Sequence, residues 1–119
     1  MAFVKFTKVR SRIDTPKASI WTRGQIGFNQ GAVKEYNLDA FQYAVLYYDE
    51  NSQRIGIKLI NDPKADGAIK LVSRENAGIS FSATAFFKNY KIDFSETRQY
   101  TLTYDDENNM YIFNLKNPL

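Results

Sequence analysis

Apolar and polar residues alternate in short runs along most of the chain, and Gly, Pro, Asn or Asp closes each run, which is the pattern of a β-rich fold. Residues 2–10 (AFVKFTKVR) alternate apolar with basic types and predict a strand with one wet, positive face. Asp14-Thr15-Pro16 breaks it, and the next run, 18–23, sets Ala18, Ile20 and Thr22 against Ser19, Trp21 and Arg23. Gly24 marks a turn before a short strand over 26–28. The period then lengthens. Asn29 is a good N-cap, since its side-chain oxygen accepts from an amide of the first helical turn. Val33 and Tyr36 share one face of a short helix over 30–37, which Leu38 closes. Residues 43–60 read as a hairpin turning at Asp49-Glu50-Asn51-Ser52, whose side chains bond their own backbone in turns. A loop over 61–67 leads to a strand over 68–73, whose alternation sets Lys70, Val72 and Arg74 against Ile69 and Leu71.

The second half repeats the first. Gly24 to Ile60 is answered by Gly78 to Leu115: Ile26 and Phe28 fall on Ile79 and Phe81, and Lys34, Tyr36, Leu38 and Asp39 on Lys88, Tyr90, Ile92 and Asp93. Gln42, Tyr43, Tyr47, Asp49, Glu50 and Asn51 then align with Gln99, Tyr100, Tyr104, Asp106, Glu107 and Asn108. In the second copy Ser82 takes the capping position, and Phe86, Phe87 and Tyr90 form the helical stripe. Neither copy alone is long enough to bury a core. The expectation is therefore one α+β domain over 1–119, β-rich and pseudo-symmetric, with internal repeats 24–60 and 78–115. It should hold about nine antiparallel strands and two short helices.

Charge adds a direction. The net charge of 119 residues is only +3, but residues 1–23 carry Lys5, Lys8, Arg10, Arg12, Lys17 and Arg23 against Asp14 alone, a net +5, while the remainder holds ten basic and twelve acidic residues, a net −2. A basic arm on a nearly neutral body fits a polyanionic partner, and equally a strand edge kept soluble by lysines. No apolar run reaches the length of a membrane span, and the opening MAFVKFTKVR places charges where a signal peptide has its apolar core, so a cytoplasmic protein is expected.

Cysteine and histidine are both absent, which removes thiolate nucleophiles, Ser-His-Asp triads, disulfides and the usual zinc sites. The acidic clusters at 49–50 and 105–107 lack the alternating oxygen ligands of a calcium loop and sit where hairpins must turn. Gly24 and Gly27 are too isolated to cradle a phosphate, and Ser80, Ser82 and Thr84 have no base beside them. We expect no enzyme, no cofactor and no metal. What remains is a basic and aromatic surface, on which cations neutralise phosphates and aromatic faces stack bases. Its candidate residues are Lys5, Lys8, Arg10, Arg12, Lys17, Trp21, Arg23, Lys58, Lys70 and Arg74, with Arg54 extending the path.

The stretches GQIGFNQGAVKEY and GISFSATAFFKNY resemble the strand-cap-helix signature of the Whirly and positive-cofactor-four class of single-strand DNA binders. That resemblance implies sheets whose hairpins grip single-stranded DNA, with Trp21, Arg23, Lys58, Lys70 and Arg74 on the sheet surface. TRGQIGFNQGAVKEYNLDAFQYAVLYYD is similar to the AbrB/MazE swapped-hairpin regulators, which bind duplex DNA. The functional expectation is a non-enzymatic nucleic-acid-binding protein, a single-strand DNA binder or transcriptional regulator. The alternative is a structural or protein-interaction module that forms homo-oligomers through strand edges and has no nucleic-acid role.

Overall fold

The computed structural model describes residues 15–74 and 78–119; the strand expected over 2–10 and the candidates Lys5, Lys8, Arg10 and Arg12 lie outside them. Ten strands, two short α-helices and one 3-10 turn are present among the described residues. In chain order they are β1 (Lys17–Trp21), β2 (Gln25–Phe28), α1 (Gln30–Tyr36), the 3-10 turn (Leu38–Ala40), β3 (Tyr43–Asp49), β4 (Arg54–Ile60), β5 (Ile69–Lys70), β6 (Val72–Arg74), β7 (Gly78–Ser82), α2 (Thr84–Asn89), β8 (Arg98–Thr101), β9 (Thr103–Asp105) and β10 (Met110–Asn114). The first sheet has the order β6-β7-β2-β1-β8 and the second β5-β3-β4-β10-β9, antiparallel throughout. This is the β-rich α+β architecture the pattern predicts. No helix of the described residues is long and apolar enough to cross a membrane.

The two sheets share one core. Ala18, Ile20, Ile26, Phe28, Ile79 and Phe81 come to it from the first, and Ala44, Ile55, Ile57, Tyr111 and Phe113 from the second. Tyr100 of β8 and Phe113 of β10 tie them together, ring centroids 5.1 Å apart. The edges of the sandwich are also its corners: β5 runs into β6 through Leu71, and β8 into β9 through Leu102, so each edge strand leaves one sheet and enters the other. Leu102 is buried at its corner, and its N–H donates to the Pro16 carbonyl at 3.2 Å; the Leu71 N–H donates to Gln42 at 2.9 Å.

The repeat is visible as a pseudo-twofold. In the first sheet the pairs Ile26↔Phe81 and Phe28↔Ile79 flank Gly27↔Ser80; in the second, Ile55↔Phe113 and Ile57↔Tyr111 flank Gly56↔Ile112. Each helix packs on the hairpin of the other copy. Tyr36 of α1 meets Tyr111 at 5.0 Å, and Tyr90 of α2 meets Tyr48 at 5.0 Å. Such pairs contribute roughly 0.5–1.5 kcal/mol each beyond the area they bury.

Two expectations about the repeat need correction. Left-handed backbone occurs at Gln53 and Asn109, and Asp49 and Asp105 each accept from the amide two residues on. The structural partner of Tyr104 is therefore Tyr48, not Tyr47, and the partner of Asp49 is Asp105, not Asp106. Sequence identity favoured an alignment one residue out. In a strand, that slip moves every side chain to the opposite face. The second correction concerns capping. Asn29 caps α1 as expected, accepting from Ala32 N–H at 2.9 Å and also from Lys17 N–H at 3.0 Å. Ser82 does not cap α2: β7 continues through Ser82 to stay paired with Gln25, and α2 starts after Ala83 without a side-chain cap.

Candidate nucleic-acid interface

The alternation of β1 turns Ala18 and Ile20 into the core and sets Lys17, Ser19 and Trp21 on the outer wall of the first sheet. The half-buried Trp21 lies across Gly27, where a Cβ would fall inside the indole. This wall is otherwise small and polar, with Ser19 and Ser80 both buried and Gln25 Oε1 buried without a hydrogen-bond partner. Arg23 is exposed in the turn that joins β1 to β2, held by a bond from Gly24 N–H to the Trp21 carbonyl. Arg74 ends β6 in the same sheet, with its backbone paired to Gly78.

Lys58 and Lys70 belong to the opposite wall, the outer face of the second sheet. The strand over 68–73 does not extend one path across a single sheet, because it bends at Leu71: Lys70 stays with β3 in the second sheet while Val72 pairs with Ser80 in the first. Alternation assigns a side chain to the inside or the outside of a closed sandwich. It does not say which wall. The expected single basic surface is thus divided, with Lys17, Trp21 and Arg23 on the first sheet and Lys58 and Lys70 on the second.

The second wall has a composition that the sequence reading largely missed. Ala44, Leu46 and Tyr48 face inward with Leu59, Ile57 and Ile55 opposite them, so Tyr43, Val45 and Tyr47 face outward. The register places Lys70, Tyr43 and Ile60 in one row, Val45 and Lys58 in the next, Tyr47, Gly56 and Ile112 in a third, and Asp49, Arg54 and Asn114 in a fourth. Tyr47 is 43% exposed, and the Lys58 ammonium lies 5.7 Å from its ring centroid, within cation–π range. The two outward tyrosines of β3 stand about 13 Å apart, four residues at the strand rise. The signal was available: the parity of Ala44, Leu46 and Tyr48 in the first hairpin fixes the parity of Tyr43 and Tyr47.

The two acidic tips lie toward opposite ends of the wall, because β10 runs antiparallel to β4: the first adjoins the row of Asp49, Arg54 and Asn114, and the second adjoins Met110, past the Tyr111↔Ile57 pair on the side of Lys58. Their carboxylates hold their own turns: Asp49 Oδ1 accepts from Asn51 and Ser52 N–H, and Asp105 accepts from Glu107 N–H and the Asn108 amide. The Ser52 hydroxyl and backbone amides keep the Asp49 carboxyl below the usual carboxylate range, and the Asn108 amide does the same for Asp105, so both stay ionised at neutral pH. Between the tips lies a groove of about 200 Å³ lined by Tyr47, Asp49, Arg54, Gly56, Asn108 and Met110, among others. A second depression of about 320 Å³ opens beside Tyr43 and Lys70. Comparison of this chain with family models, with curated proteins and with solved structures returns no match.

Proposed function

We propose that the protein binds single-stranded nucleic acid, DNA in the first instance, along the outer wall of the second sheet, without catalysing a reaction. The observation that carries this reading is the outward Tyr47 with the Lys58 ammonium beside its ring, in line with Tyr43 and Lys70. Lysines supply sequence-independent attraction to phosphates, and an exposed tyrosine face stacks a base only when that base is unpaired, which favours a single strand over a duplex. The stacking role thereby passes from Trp21 to Tyr47, and the resemblance to the Whirly and positive-cofactor-four class enters only through the partner it suggests. The composition, free of cysteine, suits a cytoplasmic setting.

The strand-edge assembly reading has less to build on. The edge strands β5, β6, β8 and β9 have two to four residues each, and the free side of β8 is occupied by the chain end, where Leu119 N–H donates to Gln99 at 2.7 Å and Pro118 bridges Tyr100.

A labelled single-stranded oligonucleotide followed by anisotropy over a range of salt tests the proposal. Two to three phosphate contacts, from Lys58, Lys70 and Arg54, predict a slope of log K on log salt of about −1.4 to −2.1 for a single strand. Tyr47→Ala should weaken binding about tenfold at fixed salt, since a base stack is worth roughly 1–3 kcal/mol. Salt-independent binding, or none, contradicts the proposal.

A further inference from the structure

We infer that the groove between the two hairpin tips reads one base of the bound strand and selects a base carrying an exocyclic amino group. The inference rests on the function proposed above and adds which part of the strand is recognised and by which atoms.

Gly56 leaves the floor of the groove without a side chain, and a Cβ there would collide with the Met110 sulfur that packs over it. Tyr47 and Ile112 stand in the same row as Gly56, so a flat ring entering the groove meets apolar and aromatic surface on its faces. The volume of about 200 Å³ suits one heterocycle rather than a folded ligand.

The polar lining of the groove includes acceptors from both tips. Asp49 Oδ1 is used by its own turn, but Oδ2 lies 3.7 Å from Arg54 Nη2, beyond hydrogen-bond length, and keeps its capacity to accept. Asn108 donates through Nδ2 to Asp105 at 2.7 Å, a bond that orients the amide and leaves Oδ1 as its unused acceptor. Arg54 donates Nε to the Ser52 hydroxyl at 2.9 Å, which ties the cation to the first tip. Acceptors contributed by both tips match the amino group of cytosine, adenine or guanine. They oppose the carbonyl oxygen that uracil and thymine carry at the corresponding edge.

Oligo-dC and oligo-dU of equal length separate this inference from general binding, because the two bases differ only at C4, amino against carbonyl, and in the N3 proton that accompanies the carbonyl. The wild-type protein should bind oligo-dC about tenfold more tightly, one good base-edge contact being worth roughly 1–3 kcal/mol of discrimination. Asn108→Ala should bring the two strands near parity. Asp49→Asn keeps the oxygen that holds the turn but replaces the free acceptor with a donor, and should move the preference toward oligo-dU. Should the Asp49 variant lose its thermal transition, the exposed Asn108 variant carries the test. Equal wild-type affinity for the two strands, or a preference that both variants retain, overturns the inference while salt-dependent binding of either strand leaves the proposed function standing. No binding to either strand removes both.

Discussion

Replacing Gly78 with alanine is expected to cost about 3 kcal/mol of stability, whereas the same change at Gly67 should cost about 1 kcal/mol. Both glycines have left-handed backbone, with φ of 88° at Gly78 and 79° at Gly67, so both variants carry the strain of placing a Cβ in that region. They differ in surroundings. A Cβ at Gly78 would fall on the Phe28 carbonyl oxygen, part of the backbone of β2, while at Gly67 it meets nothing nearer than Val45 Cγ1 at 3.8 Å. Backbone cannot rotate away as a side chain can, so the difference between the two variants isolates the close approach of β7 to β2 beside the pseudo-twofold. Thermal or urea unfolding of the pair measures it; equal losses would mean that β7 does not approach β2 as described.

The double variant Lys58→Glu, Lys70→Glu is expected to weaken single-strand binding at low salt by at least about tenfold and to flatten the salt slope by about 1.4, the share of two phosphate contacts. Lys70 is exposed and Lys58 half-buried, and both lie outside the core, so the melting temperature should stay close to that of the wild type. Arg23→Glu reverses an exposed charge on the first sheet and serves as the control. It should change affinity by less than about twofold, because screening confines an exposed charge to roughly a Debye length. If Arg23→Glu weakens binding as much as the double variant, the interface lies on the wrong wall.

Much of the fold was legible in the residue pattern because its signals are local. The αL residue Asn37 ends α1 one position after the helical stripe, Asn29 caps it, and both hairpins turn where Asp and Asn cluster. The repeat was legible as well, since Leu38 and Ile92 are buried and Asn37 and Lys91 share left-handed backbone at matching places. What failed depends on long-range geometry. Matching Tyr47 with Tyr104 scores well as text, yet only the cross-strand registers place Tyr48 opposite Ile55 and Tyr104 opposite Tyr111 on the core-facing side. The bends at Leu71 and Leu102 carry no Gly or Pro signal, and they distribute the basic residues over two walls. Trp21 was attractive as the lone tryptophan beside Arg23, but its position across Gly27 depends on the diagonal β1–β2 pairing, which the composition of neither strand reveals.

Amide-resolved NMR of the nitrogen-labelled protein, titrated with oligo-dC, tests the central claim most directly. Binding on the second sheet predicts shift changes confined to residues 43–49, 54–60, 70 and 108–114, with the indole N–H of Trp21 unmoved. Changes centred on Trp21, Ser19 and Ser80 with the second wall silent, or no changes at all, would contradict it.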